Sequence, residues 1–434
     1  MTHHPSRFTY FFTLTIHIAD IPSPTFVFVV SMMTCRQQLY IFLWAFVTLA
    51  LTTVDGSSGS LNQSACRCYP GDDCWPSVQE WSKFNESLGG KLIATIPIAS
   101  ACHDDSFSAY NAKACADLQA IWQLPETHYE TSSSVMAPFF ANQSCDPYLP
   151  KDAQCVLGTY VQFAVNASDA SDYQKTIAFT KEHNIRLVIR NTGHDYNGKS
   201  TGAGTVGIWT HNIKTIEILD YKSPGYTGKA MKMGAGVQVF EADQAAHTEG
   251  LVVVGGNCHS VGIAGGYSQG GGHGPLASKF GLAADQVLEW EVVTGTGELV
   301  TASPSEHSDL YWALSGGGGG TWGVVLSMTS KAYPDMKVAA ANLTFTSEGV
   351  SDDTFYGAVE TFISNLPKVL EIDAVSIWLL VPGIFMMTPT TAPGSTKEQL
   401  EQLFEPVISK LKESNIKYSK PQPHCTIANT IQHS

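Results

Sequence analysis

Between Cys155 and Pro334 the apolar residues fall into short runs bounded by Gly, Asn or Asp, a β-like texture. VLGTYVQFAV, RLVIR (Arg186–Arg190), VGIWT, IEIL, AMKMGAGVQV and LVVV (Leu251–Val254) predict strands. Two stretches switch to helical spacing: the capped SDASDYQKTIAFTKEHN, and Gln238–Gly250. VLEWEVVTGTGELVTA predicts a hairpin turned at Gly295-Thr296-Gly297. A short helix over Glu306–Leu314 follows, then a Gly loop running into a strand, SGGGGGTWGVVLSMTSKAYP. Upstream, the pattern predicts an amphipathic helix over Pro76–Leu88, ended by Gly89-Gly90, and a helical stretch over Asp104–Leu124. Downstream of Pro334 it predicts a strand in AANLTFTS, a helix in SDDTFYGAVETFISNL, a strand in VLEIDAVSIWLLV and an amphipathic helix in STKEQLEQLFEPVISKLKESN. Trp209, Trp290 and Trp312 read as core residues.

These elements predict an α+β protein without repeats at solenoid spacing. The expected organisation is an N-terminal extension and signal peptide over 1–54, a Cys-rich lead-in over 55–149, an α+β domain over 150–335 and the beginning of a second domain over 336–434. The Pro-rich Asp146-Pro-Tyr-Leu-Pro150 marks the entry to the main domain. The tail YSKPQPHCTIANTIQHS does not complete the second one, and the expectation is a shortened C-terminal part.

Composition narrows the class. Hydrophobic residues make up 44% of the chain, so a packed core is expected. The net charge of −14 and the pI near 5.4 argue against a nucleic-acid binder, which needs a basic face. The apolar run Leu39–Leu51, preceded by Arg36 and followed by TTVDGSSGS, suits the hydrophobic region of a signal peptide and is short for a membrane span. Secretion is therefore expected, with no stable membrane span. Asn62, Asn85, Asn142, Asn166 and Asn342 stand in glycosylation acceptor triplets. Seven cysteines lie between residues 66 and 155, and in an exported chain they read as disulfides with one left over. Cys66-Arg-Cys68 has the wrong spacing for zinc and no His pair follows it, so no metal is expected.

Three motif matches are decoys by context. Gly193-His-Asp-Tyr-Asn-Gly198-Lys199-Ser200 fits the P-loop string, but a P-loop must open a helix, and STGAGTVGIWT is β-prone. A nucleotide triphosphatase is the weakest of the readings considered. Gly202-x-Gly204-x-x-Gly207 and Gly318-x-Gly320-x-x-Gly323 lead into strands, so neither makes a Rossmann turn.

The chemistry concentrates in residues 186 to 274. Two Gly-rich loops each follow a strand, and each carries one nucleophilic side chain, His194 in the first and Cys258 in the second. Such loops bring backbone amides close to an anion, as a dinucleotide pyrophosphate requires. RNTGHDY, GGNCHSVGIAGGYSQGGGHG and DLYWALSGGGGGTWGVV together resemble the flavin domain of the berberine-bridge-enzyme-like oxidases, of the vanillyl-alcohol-oxidase (VAO) type. The resemblance covers about 150–335, and the lead-in resembles secreted fungal members of the group. It implies a PCMH-type, two-subdomain FAD-binding fold followed by a substrate domain. It also implies bicovalent FAD, with His194 on the flavin 8α-methyl carbon and Cys258 on ring carbon C6. Arg190, Asn191, Thr192, Gly193, Asp195, Ser200 and Thr201 fall in the pyrophosphate loop. Val261, Gly262, Gly265 and Gly266 continue the second loop toward the ring, and Gly271, Gly272 and His273 either reach the ring or make a tight turn. His259 and Tyr267 are candidates to face substrate.

The implied reaction is oxidation of an alcohol, sugar or secondary-metabolite scaffold, with hydride passing to the flavin and O2 as acceptor. The family's catalytic bases match no residue here, so none is assigned. The alternative is a flavin-binding protein without turnover.

Overall fold

The computed structural model describes residues 66–104, 107–136, 144–419 and 424–427. The Leu39–Leu51 segment, Asn62 and Asn142 lie outside the described residues. Three cystine bridges, Cys68–Cys74, Cys102–Cys115 and Cys145–Cys155, use six of the seven clustered cysteines and leave Cys66 as the odd thiol.

The lead-in builds part of the first sheet. Helix α1 (Val78–Ser87) begins with a capping box: the Ser77 hydroxyl accepts from the Glu80 amide, and the Glu80 carboxylate accepts from the Ser77 amide. Its buried face sends Trp81 against Phe163 and stacks Phe84 on Phe179 at 4.0 Å between ring centres. Strand β1 (Leu92–Ala94) then pairs antiparallel with β2 (Phe163–Asn166). Between them lie α2 (Ala112–Ile121) and α3 (Pro125–Tyr129). The helix expected over Asp104–Leu124 is confined to α2, because Asn111 caps it at Ala114 and the preceding chain is tied to Cys115 by its disulfide.

Helix α4 (Ala170–Glu182) crosses from β2 to β3 (Arg186–Arg190), and β4 (Thr205–Trp209) inserts between β2 and β3, parallel to both. The sheet order is β1-β2-β4-β3. Parallel strands covered on their faces are apolar throughout, and all five residues of β4 are buried.

The second sheet is antiparallel. It contains β5 (Ile216–Ser223), β6 (Tyr226–Gly234), β8 (Val287–Val293), β9 (Leu299–Ala302) and β10 (Val324–Pro334), in the order β5-β6-β10-β8-β9. Strand β7 (Leu251–Val253) joins the far end of β10, and α5 (Val239–Thr248) packs beneath. Trp290, Met231, Met233 and Val292 are fully buried in this core. The Tyr173 hydroxyl of α4 donates to the Val325 carbonyl at 3.3 Å, tying the first layer to the second. The short helix α6 (Ala277–Phe280) follows the β7 loop, and α7 (Ser308–Leu314) precedes β10.

A third sheet, β12-β13-β11-β14, is built from β11 (Lys337–Thr346), β12 (Val375–Val381), β13 (Ile384–Pro393) and β14 (His424–Ile427). It packs on α8 (Asp352–Glu371) and α9 (Lys397–Glu413) through Phe345, Phe355, Phe362, Phe385 and Phe404. Strand β14 comes from the tail YSKPQPHCTIANTIQHS, for which no element was expected, and it pairs with Lys337–Ala340.

Two expectations need correction, and one strand was not anticipated. The run VLEIDAVSIWLLV is not one strand: α8 continues to Glu371 because Val369 keeps its helical period and is buried, and Asp373 at φ +57° turns the chain before β12. Strand β13 was hidden by its prolines, which are disfavoured inside a sheet; Thr388-Pro389 falls where both neighbouring ladders shift register. Trp209 and Trp290 are buried, but Trp312 is 80% exposed, because α7 turns Leu314 inward instead. Among the described residues, no helix is long and apolar enough to cross a membrane.

Candidate cofactor site

Three loops meet: residues 191–204 between β3 and β4, 255–274 after β7, and 315–323 between α7 and β10. Both GxGxxG matches and the P-loop string run into β4 or β10, not into helices.

The first loop is anchored by Arg190. Its guanidinium is buried and donates from Nη2 to the His128 carbonyl at 2.9 Å, while Nε and Nη1 have no protein partner. Burial pulls this cation down to about 10, and the Asp195 carboxylate acts against that. Gly193 sits at φ +80°, and a Cβ there would lie 2.6 Å from Arg190 Nη1, so the chain closes over the guanidinium only with glycine. Asp195 shapes the rest of the loop. Its carboxylate accepts from the amides of Asn197, Lys199 and Ser200 and from the Ser200 hydroxyl. Thr201 donates to the Thr159 carbonyl at 2.8 Å, and Thr192 is buried. Asp195, Ser200 and Thr201 thus hold the loop's shape through their side chains.

Asn191 joins the first loop to the second. Its Nδ2 donates to the Ala235 carbonyl, and its Oδ1 is buried without a protein partner. A Cβ on Gly262 would lie 2.2 Å from that Oδ1, and one on Gly265 would lie 3.0 Å from Nδ2. The second loop is clamped to the start of α5. Val239 and Phe240 donate their amides to Val261 and His259, each at 3.0 Å, and Gln238 Nε2 donates to the Ser260 carbonyl at 2.7 Å. Gly271 and Gly272 offer carbonyls to the amides of Ala284 and Ala283, which makes a tight turn there, with His273 exposed. Tyr267 is largely enclosed beside Gly256 and Gly272, its hydroxyl is buried and burial raises its pKa. The His259 ring lies 3.6 Å from Glu126.

The third loop closes on the second. The amides of Gly316 and Gly318 donate to the Gln269 carbonyl at 3.0 and 2.9 Å. A Cβ on Gly319 would lie 2.6 Å from the Gly266 Cα. Lys199 reaches across from the first loop to the Thr321 hydroxyl at 3.4 Å.

At this junction the two nucleophiles converge. His194 Nε2 lies 2.9 Å from the Ser260 hydroxyl oxygen, and Cys258 Sγ lies 3.5 Å from the same oxygen. Cys258 is an exposed free thiol, and Ser260 is fully buried. Burial lowers His194 to about 4, with Arg190 and His259 adding to the effect and Ser260 opposing it, so the imidazole is neutral at physiological pH. Sequence reasoning paired His194 with Cys258 but passed over Ser260, Gln238 and Gln269, because hydroxyl and amide positions in a Gly-rich string carry no periodic signal.

Burial also lowers His211 to about 4. Both imidazoles are thus depressed below the ordinary 6.5. The unfolded chain takes up these protons first, so their contribution is full above pH 6.5 and is lost as pH falls toward 4. The melting temperature is expected to fall across that window, and His211→Asn is expected to flatten the fall. An unchanged profile in that variant would contradict a neutral, buried His211.

Residues 161–303 match the family model described as an FAD binding domain. The FAD-linked oxidoreductase sthB of Phaeosphaeria nodorum is 48% identical over 286 residues, covering 66% of this chain and 91% of that protein. The crystal structure of the VAO-type flavoprotein MtVAO615 from Myceliophthora thermophila C1 superposes with a TM-score of 0.81 at 42% identity, covering 85% of this chain and 67% of that one. The chain belongs to the VAO-type FAD-linked oxidoreductases. The FAD-linked oxidoreductase sor8 of Hypocrea jecorina is 53% identical over 363 residues, 84% of this chain, and the chain spans 62% of that protein's length. The matched residues include the first two of these loops and end before the third.

Proposed function

We propose that this chain carries FAD tethered through His194 and Cys258 and oxidises a small organic substrate, an alcohol, sugar or secondary-metabolite scaffold, with O2 as the acceptor. The observation that carries the reading is the convergence of a neutral imidazole and a free thiol on one buried hydroxyl, at the meeting point of the Gly-rich loops.

The residues present suit the group. Arg190 offers two buried N–H-bearing nitrogens without protein partners beside the first loop, and such a cation suits the diphosphate of a dinucleotide. Asn191 offers an unpartnered Oδ1 between the loops, and the Gly262, Gly265 and Gly319 contacts keep the backbone segments close. A bound flavin supplies the hydride-accepting chemistry. His194 supplies an uncharged nitrogen and Cys258 an accessible sulfur, two side chains of nucleophilic type. Tyr267 and His259 border the loop junction as candidate substrate contacts.

Export fits the same reading. The Leu39–Leu51 run, the acceptor triplets at Asn85, Asn166 and Asn342, and three cystine bridges suit an extracellular protein.

Purified flavin-loaded protein is expected to release hydrogen peroxide with at least one member of a panel of alcohols, sugars and phenols. Peroxide absent across the panel, with the flavin also resisting anaerobic bleaching, would leave a flavin carrier without turnover and overturn the oxidase reading.

A further inference from the structure

We infer that the Ser260 hydroxyl is the positioning group for both flavin attachments, accepting from His194 Nε2–H and donating to Cys258 Sγ; this rests on the two-tether reading above. A hydroxyl carries one proton and two acceptor sites. It can therefore accept from one neighbour and donate to the other at the same time. The distances of 2.9 Å to the imidazole and 3.5 Å to the sulfur allow that arrangement.

The direction follows from what each nucleophile needs. An Nε2–H imidazole leaves Nδ1 with a free lone pair, and an acceptor at Nε2 holds that tautomer. A donor held 3.5 Å from the sulfur fixes the direction in which Cys258 Sγ presents its lone pairs. One hydroxyl meets both requirements only in the orientation proposed. The backbone on either side makes that orientation durable. The carbonyls of His259, Ser260 and Val261 are all held by Phe240, Gln238 and Val239, and Gln238 is itself held by Lys214 at 3.1 Å. Ser260 is fully buried, so water does not compete for its hydroxyl.

Each attachment balances in the same way. His194 or Cys258 loses its N–H or S–H hydrogen, and the flavin loses one C–H hydrogen from the 8α-methyl carbon or from C6. The new C–N or C–S bond uses the nucleophile's electron pair. The C–H electron pair passes into the flavin and on to dioxygen, which leaves as one hydrogen peroxide per link. For His194, the bond forms at Nδ1, and the Nε2 proton departs toward Ser260.

The test uses the full chain as purified, with acid-stable flavin measured as a fraction of total flavin. Single-link backgrounds, His194→Ala and Cys258→Ala, report the two attachments separately. Adding Ser260→Ala to each is expected to slow attachment about tenfold, the effect of losing roughly one hydrogen bond in the activated state, and Ser260→Thr to restore it. Recovery by Thr but not by Ala distinguishes a hydroxyl from a packing role. Equal acid-stable fractions with and without Ser260→Ala in both backgrounds would overturn the inference while leaving the tethers intact. Loss of all flavin to the supernatant from the unmodified protein would overturn the tethers and, with them, the role of Ser260. If Ser260→Ala does not fold, Ser260→Cys fills the same space with a much weaker donor, and full attachment there would also overturn the inference.

Discussion

Adding one methyl group at Gly274 is expected to empty the site and to destabilise the protein by about 2–3 kcal/mol or more, the upper range for overpacking. A Cβ there would lie 1.9 Å from the Gly255 carbonyl oxygen. That atom belongs to the backbone just after β7, so no side chain can swing aside to make room. Gly255 and Gly274 form the neck of the second loop, and the Gly274 carbonyl also accepts the Ala277 amide that starts α6. Separating them would displace the loop that carries Cys258 and Ser260. Gly295→Ala at the β8–β9 turn is the control, because nothing lies within 4 Å of its Cβ. That change is expected to stay within about 0.5 kcal/mol. Melting temperature and flavin absorbance per chain, measured for both variants, check the contrast. A Gly274→Ala protein with normal flavin content would mean that the neck is looser than these contacts require.

The second large effect concerns the tethers. Replacing both His194 and Cys258 by alanine is expected to move all of the flavin into the supernatant on acid precipitation. Either single variant is expected to keep most of it in the pellet, because each link alone is a covalent bond. A bond to an electron-withdrawing substituent also makes the ring a better hydride acceptor, so each single variant is expected to show a lower flavin midpoint potential and slower substrate oxidation. Complete release from one single variant would show that the other residue forms no link.

The loops of this candidate site are legible in the sequence through particular residues. Strands β3 and β7 are short apolar runs ended by Asn or Gly, so their boundaries, and the loops after them, followed from the pattern. The rejection of the P-loop rested on β-prone residues after Ser200, and β4 indeed starts at Thr205. What was not readable depended on contacts distant in sequence. Arg190 meets His128, 62 residues away, and His194 meets Ser260, 66 residues away. The third loop's attachment to Gln269 and Gly266 likewise has no local signature. Strand β1 was missed because three residues are too few for a period, and β13 because Pro389 and Pro393 disguise it. The oddness of the cysteine count was visible, but only the geometry singled out Cys66 as the one left over.

Covalent flavin at His194 and Cys258 is the central expectation for this protein. Intact-mass measurement of the deglycosylated protein under denaturing conditions, followed by peptide mapping, tests this most directly. The expected result is a mass increased by one FAD, with the cofactor carried by a cross-linked pair of peptides containing His194 and Cys258. A polypeptide mass without FAD, or a flavin confined to any other residue, would contradict it.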